Sequence, residues 1–438
     1  MPKFILNWYH RNLALLAAFY YGNPSEKMIV IGVTGTNGKS TTVALIAKAL
    51  EAGGEKVGAT STVSFKVAEK EWLNNKKMTM LGRFQLQKFL CQMKDAGCKY
   101  AVIETSSQGI DQFRHLGINY DYAVFTNLTP EHIEAHGGFE NYKQAKGKLF
   151  EHLASSPRKI LDGKKIEKTS VINFDDKYSD YFAEFKADKV LFYSIEGTDV
   201  NGLVAENVDP TPLGTSFEVN EQKINLKLLG AFNVYNSLPA ILIAEQEGIG
   251  FADIKNALQA ITVVPGRMQL IDQAQDFWAI VDYAPEPASM AKLYETIKKF
   301  QEQEEMKINR IIHVFGSCGG GRDRERRPIL GQIAGENAHF AIVTNEDPYD
   351  DDPMEIIDEV AAGAIKAGKE LNKNLFKILD RKKAIAKALS LAKTGDLVLV
   401  TGKGAEQKMA VANGNYVNWD DREVIRELLQ SGKCKVES

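Results

Sequence analysis

Residues 28–54 read MIVIGVTGTNGKSTTVALIAKALEAGG: an unbroken apolar run, a glycine loop, then a helical pattern closed by a glycine pair. Such a run is the mark of a strand buried on both faces of a parallel sheet. Parallel strands need helical crossovers, so this stretch commits the chain to an α/β architecture. The loop Gly35, Thr36, Asn37, Gly38, Lys39, Ser40, Thr41 joins strand to helix. In that setting, backbone N–H groups and the positive helix end attract phosphate. Lys39 is placed to reach terminal phosphates and Ser40 to bind magnesium. The spacing departs from G-x-x-x-x-G-K, because Val33 stands where the first glycine belongs. A chance glycine turn is the competing reading; the strand, the K-S-T run and the helix together favour nucleotide binding.

The alternation continues with YAVIE (100–104) and YAVFT (122–126), buried-strand patterns that each end in a polar residue. A doubly wound parallel sheet follows, with ligands expected at the carboxyl ends of its strands. Gly35–Thr41, Glu104 and Thr126–His132 all fall there. Residues 160–227 read as further strands and turns, and a helix is expected to begin near Asn233. VVPGR (263–267) is a Pro-Gly break, after which β and α patterns restart, with helices from 286, near 327, from 354 and from 421. The expected organisation is a short apolar segment (1–27), a central P-loop ATPase-like domain (28–264) and a C-terminal Rossmann-like α/β domain (265–438).

The formal charge is 54 − 57 = −3 with no long basic block, which argues against nucleic acid as a partner. Four scattered cysteines without a CxxC pair argue against a zinc knuckle and fit a reducing, cytoplasmic setting. The apolar part of the N-terminus, Leu13–Tyr21, is about half of the ~20 residues needed to span a bilayer. It is expected to form a helix packed on the protein body. The sharper alternative is a peripheral membrane or protein contact through residues 4–21.

Glu104 closes a buried strand beside TSSQG, a natural place for a magnesium ligand or water-holding acid; a surface acid is the bland alternative. His132 and His136, with Glu131 and Glu134 nearby, point to a metal role, although a lone histidine is usually structural. NYKQAKGKLF carries Lys143, Lys146 and Lys148 on an amphipathic helix, and charge alone does not rank them.

Together, YYGNPSEKMIVIGVTGTNGKSTT, ETSSQG, VFTNLTPEHIEAHG, YKQAKGKLF, GAFNVYNSLPA, VPGRM, VDYAPEP, GSCGGGRDRERRP, TNEDPYDDDP and GKGAEQ resemble the Mur ligase family, in family order from about residue 19 to 407. The likeness is greatest to the type that makes UDP-N-acetylmuramoyl-tripeptide. The resemblance implies an ATP-dependent, magnesium-dependent ligase of cell-wall precursor synthesis. A muramoyl-peptide-like carboxylate becomes an acyl phosphate, and the amine of an amino acid then attacks it. It implies that Lys146 is the lysine carbamylated by CO2, and that Glu104 and His132 complete the magnesium site. It also implies that Asn233 and Asn236 contact adenine, that Arg267 and Asp282 hold phosphate and ribose, and that Asp347, Tyr349 and Glu406 face the acceptor. The ATP site would lie between two closing domains. A nucleotide-binding partner subunit with weak catalysis is the reading from another class; a ligase of a different peptide or folate-like substrate is a nearer one.

Departures shape the substrate expectation. Only about 27 residues precede the first strand, so the family's uridine-binding domain is read as missing, its work lost, taken over by a partner or unnecessary. Pro285 replaces the histidine of D-Y-A-H, Ala405 that of G-K-G-H-E, and MTMLGRF a Thr-Thr-Pro signature. Relatives adding meso-diaminopimelate carry D-N-P-R, whose arginine pairs with a distal carboxylate. Here the four residues are Glu346, Asp347, Pro348 and Tyr349, so a lysine-like acceptor paired with Asp347 is expected instead. Asp350–Asp352 read as solvent-facing acids at a helix start.

Overall fold

The computed structural model describes residues 3–130, 136–197, 201–302, 307–321 and 324–431. Two compact units make up the chain. The first comprises residues 1–209 with 213–262, the second 263–438 with 210–212.

The first unit is built on a nine-stranded sheet. Its order is Gly202–Val204, Lys189–Ser194, Thr169–Asn173, Tyr122–Phe125, Ile29–Thr34, Tyr100–Glu104, Val57–Thr60, Ser64–Val67, Lys70–Leu73. The first seven strands run parallel; the last two fold back as antiparallel edges. All six residues of Ile29–Thr34 are buried, as the apolar run requires of a central strand. Its register sets Val33 opposite Glu104 on one side and Val124 on the other. Three carboxyl ends therefore finish at one level, under the glycine loop. The helix Phe139–Ser155 buries Tyr142, Ala145, Lys146, Leu149, Phe150 and Leu153, a 3.6-residue stripe that includes one lysine. A short helix, Ser179–Ala183, interrupts the strands expected over 160–227.

The N-terminal helix, Lys3–Tyr20, meets only half of its expectation. Ala14, Ala17 and Ala18 are buried, and Ala18 lies where a side chain on Gly117 would go. The large residues point the other way: Phe4, Trp8, Phe19 and Tyr20 are each at least 67% exposed. No helix among the described residues is long and apolar enough to cross a membrane.

The second unit has a six-stranded sheet in the order Gln269–Leu270, Trp278–Val281, Leu397–Val400, Ile311–Phe315, Phe340–Thr344, Leu375–Ile378. It is parallel except at its first strand. The expected helices begin at Pro287, Arg326, Pro353 and Asp421. Both units are α/β, and the first is doubly wound.

Each unit buries a histidine that it keeps neutral. Burial lowers the His115 pKa to about 3, with His152 adding to the effect. His313, between the Tyr294 and Thr401 hydroxyls at 2.7 and 2.9 Å, is lowered to about 3 by burial and then by Arg381. An unfolded histidine takes up its proton near pH 6.5. Below that pH the unfolded chain binds protons that the folded chain refuses, so stability falls as pH drops from about 6.5 toward 3, by roughly 1.4 kcal/mol per group per pH unit. Urea unfolding between pH 6.5 and 4.5 should show this slope, and His313→Gln should reduce it. An unchanged slope would place the acid sensitivity elsewhere.

Candidate active site

The glycine loop is shaped by what stands behind it. Gly35 (φ +148°) leaves no room for a side chain against the Thr126 hydroxyl, and Gly38 (φ +83°) leaves none against Asn236 Oδ1. Thr126 Oγ1 donates to the Asn37 carbonyl at 2.8 Å, and Asn127 Oδ1 accepts from Asn37 N at 2.8 Å. Thr36 N donates to the Asn127 carbonyl at 2.8 Å, and Thr36 Oγ1 meets the Tyr142 hydroxyl at 3.0 Å. The end of the Tyr122–Phe125 strand is thus the template on which the loop sets. Lys39 Nζ reaches back to the Thr36 carbonyl at 2.6 Å, closing the loop on itself.

Glu104 is 1% exposed and fully engaged by donors. Its Oε2 accepts from Ser40 Oγ and from Thr62 N, both at 2.7 Å, and its Oε1 from Thr62 Oγ1 at 3.0 Å. Thr62 Oγ1 in turn lies 2.9 Å from Thr79 Oγ1. A hydroxyl and a carboxylate side by side at a strand end are hard oxygen donors, the set that magnesium takes. Thr41 is buried on the first helical turn after them.

Helix geometry ranks the three lysines that charge could not. Lys148 pairs with Asp111 at 2.7 Å and Lys143 with Glu140 at 2.8 Å, both on the outer side. Lys146 is 2% exposed, donates to the Gly35 carbonyl at 2.7 Å and lies 4.4 Å from the centre of the Tyr142 ring. His136 bridges Asp111 Oδ2 at 2.7 Å and Ser107 Oγ at 3.1 Å, a structural engagement rather than the metal role expected of it. His132, with Glu131 and Glu134, lies outside the described residues.

Asn233 and Asn236 are buried and bonded to each other at 3.0 Å, and Asn236 also accepts from Thr42 Oγ1 at 3.3 Å. Asn236 is a wall of the glycine loop. This function was not legible in the sequence, because 194 residues separate Asn236 from Thr42. Thr62, Thr79, Asn127 and Tyr142 were missed for the same reason, although Asn127 sat inside FTNLTP, Tyr142 at the head of YKQAKGKLF and Thr79 inside MTMLGRF.

In the second unit, Arg267 stacks on the Tyr283 ring at 4.4 Å. Asp282 accepts from Met268 N at 2.7 Å, and its pKa is raised by burial against the opposing pull of Arg267. The stretch opening at Thr344 forms a buried charge network. Glu346 accepts from the Cys318 thiol at 2.9 Å, and burial raises its pKa. Lys403, fully buried, donates to both oxygens of Asp347 at 3.0 and 3.1 Å and also to Glu406. Asp347 further accepts from Ala410 N at 2.7 Å. This corrects the expectation that Asp347 pairs with an incoming amine: its charge is already matched by Lys403. Tyr349 takes a left-handed backbone (φ +53°), and its ring covers Gly320. Asp352 caps the helix Pro353–Lys366 by accepting from Met354 N, while Asp350 accepts from Asn413 N at 2.7 Å.

Two family models match the chain: the Mur ligase middle domain over residues 33–244 and the glutamate ligase domain of Mur ligases over 266–404. The chain belongs to the Mur ligase family. Among curated relatives, a UDP-N-acetylmuramyl-tripeptide synthetase of Roseiflexus sp. (strain RS-1) is 38% identical over 95% of this chain and 81% of its own length. A UDP-N-acetylmuramoyl-L-alanyl-D-glutamate–2,6-diaminopimelate ligase of Geobacillus thermodenitrificans is 35% identical over 98% of this chain and 84% of its own. A solved structure of a 2,6-diaminopimelate ligase of that kind superposes with a TM-score of 0.60 at 30% identity, covering 93% of this chain and 79% of that one. Folylpolyglutamate synthase of Mycobacterium tuberculosis, solved with ADP, shares the fold alone, with a TM-score of 0.67 at 16% identity over 90% of this chain and 92% of its own.

Proposed function

We propose that this Mur ligase joins a carboxylate of a muramoyl-peptide-like donor to the amine of an amino acid, using ATP, through an acyl phosphate. The observation that carries this is one arrangement around the glycine loop. The Ser40–Glu104 oxygen pair sits at the start of its helix, and Lys146 is held on the Gly35 carbonyl. A donor carboxylate oxygen bonds to the γ-phosphorus, the bond to the β-phosphate oxygen breaks, and ADP leaves. The acceptor amine then bonds to the acyl carbon, gives up its proton, and phosphate departs with the carbon–oxygen electron pair. Lys39 offsets the charge on the transferred phosphate, and the loop N–H groups orient it. Ser40, Glu104, His132 and Lys146 are the residues that would hold magnesium, which neutralises charge between the two anions when bound. Lys146 fits as a carbamate. Its neutral amine bonds the carbon of CO2 and a proton leaves, so that a cation becomes an oxygen donor.

The acceptor we favour is lysine-like. Tyr349 stands where a distal carboxylate would need a cation, and two arginines of the neighbouring segment are already committed. Arg324 pairs with Glu355 and Glu359, and Arg327 with Glu359 and Asp351. Phosphate release from ATP, run with UDP-linked and UDP-free donors against a panel of amino acids, tests both parts. Release should require donor and acceptor together, with meso-diaminopimelate poorer than L-lysine by roughly tenfold or more. Preference for diaminopimelate would overturn the reading of Tyr349. Release never above the donor-free background would leave a nucleotide-binding partner subunit.

A further inference from the structure

At the carboxyl end of the second sheet, a thiol stands among ionisable groups. Cys318 follows the strand Ile311–Phe315 and is partly exposed. Its thiol donates to Glu346 Oε1 at 2.9 Å, and its carbonyl accepts from Arg327 Nη2 at 3.3 Å. Arg326 belongs to the same group and is 5% exposed. Its Nε donates to Ser317 Oγ at 3.2 Å and its Nη1 to Glu286. Nη2 is buried with no hydrogen-bond partner. Buried donors are almost always satisfied, so Nη2 marks a place where an oxygen is due. Burial by itself would lower the Arg326 pKa. Negative charge at Cys318, then at Glu286 and Glu346, outweighs it and raises the pKa, and the sulfur is also within hydrogen-bonding reach of the guanidinium.

A thiol becomes a nucleophile when it gives up its proton beside a cation. Here Glu346 is the base at hand and Arg326 the cation. Burial raises the Glu346 pKa, so a proton taken from sulfur is held there more readily than on an exposed acid. Cys91 and Cys98 are biased the other way: burial raises the pKa of both, and a bond to Asp95 adds to the effect at Cys91. We propose that Cys318 is a site of oxidation by a hydroperoxide, and that Arg326 Nη2 receives the oxygen it gains. The thiol proton moves to Glu346. The sulfur electron pair bonds one peroxide oxygen, the oxygen–oxygen bond breaks, and the departing hydroxide takes the proton back from Glu346 as water. Sulfur is oxidised to the sulfenic acid and the peroxide is reduced. Glu346 thereby loses the thiol that donated to it. Its Oε2 already fills the space where a side chain on Gly402 would stand, and the Gly319 N–H holds the Asp347 carbonyl at 2.8 Å. A buried acid short of a donor, wedged between those two glycine stretches, shifts the segment that carries Asp347 and Tyr349. Slower turnover follows, and that consequence alone rests on the ligase reading.

The test treats the full chain with a small molar excess of hydrogen peroxide, traps sulfenic acid with dimedone and maps the label by peptide mass spectrometry. Cys318 should label roughly tenfold faster than Cys91 and Cys98, or more. Glu346→Gln removes the proton acceptor, and Arg326→Lys keeps a charge but not the planar fork; each should slow labelling of Cys318 by roughly tenfold. Labelling of Cys318 no faster than of Cys91 in the unaltered protein overturns the proposal, as does a rate unchanged in both variants. Phosphate release by the oxidised protein should fall roughly tenfold, as misplacement of a positioning segment costs, and return with dithiothreitol. Cys318→Ser should keep its turnover in peroxide. Release that ignores complete oxidation of Cys318 overturns the consequence for the acceptor segment. If the unaltered protein never releases phosphate, the ligase reading has failed, and the labelling rates decide the oxidation site by themselves.

Discussion

Lys146→Ala is expected to reduce donor-dependent ATP turnover by on the order of 10^3-fold, and small carboxylates such as acetate or formate should restore part of it. The expectation follows from position more than from residue type. Lys146 occupies the buried stripe of its helix, where the pattern Tyr142, Ala145, Leu149, Phe150, Leu153 calls for an apolar side chain. An ionisable group kept at 2% exposure, against a loop carbonyl and a ring face, is an expensive choice for packing alone. A carbamate gives that position a use, and its removal leaves a gap that a small carboxylate can enter. The checks are steady-state phosphate release across a carboxylate series, and mass spectrometry of the intact protein under CO2. Turnover unaffected by Lys146→Ala would end the carbamate assignment. A dead variant that no carboxylate revives would leave Lys146 as a structural cation.

Lys39→Ala should cost at least as much, on the order of 10^3-fold in turnover, with ATP affinity also reduced. Lys39 is the first residue of its helix, and its ammonium closes on Thr36 within the loop it serves. On the proposed ligase reading, charge on the transferred phosphate would grow where this ammonium can reach, so its contribution is expected to be larger in the transition state than in binding. The loop itself should survive, because Gly35, Asn37 and Gly38 are shaped by Thr126, Asn127 and Asn236, not by Lys39. Circular dichroism and unfolding midpoints close to those of the unaltered protein, beside lost turnover, are the expected pair of results. Full phosphate release without Lys39 would show that the measured hydrolysis belongs to another site.

Local order was the legible part of this molecule. The strands at Ile29, Tyr100 and Tyr122 announce themselves as buried runs, and the glycine loop announces the strand–helix junction. Sheet order was not legible, since it joins Ile29–Thr34 to strands about 70 and 90 residues away and says nothing in composition. The same limit hid the site's supports. Glu104 could be suspected at a strand end, but Thr62, 42 residues earlier, could not be named as its holder. Asp347 looked available because its acids were read together as a local group. The cation that takes it, Lys403, is 56 residues on and lies between two glycines of positive φ. Lys146 was recoverable: the helical stripe was already present in the spacing, and reading charge before periodicity obscured it.

Asn236, the residue that walls Gly38, has a consequence for how the protein comes into being. The strand, loop and first helix are complete by residue 51, yet the surface that holds the loop open is supplied by the helix Phe232–Gln246. On the proposed reading of the loop, a nascent chain emerging from the ribosome therefore carries its phosphate-binding residues long before it can use them. Nucleotide affinity arrives late, once the helix around Asn236 has docked, and ATP becomes a ligand of the finished unit rather than a nucleus for its folding.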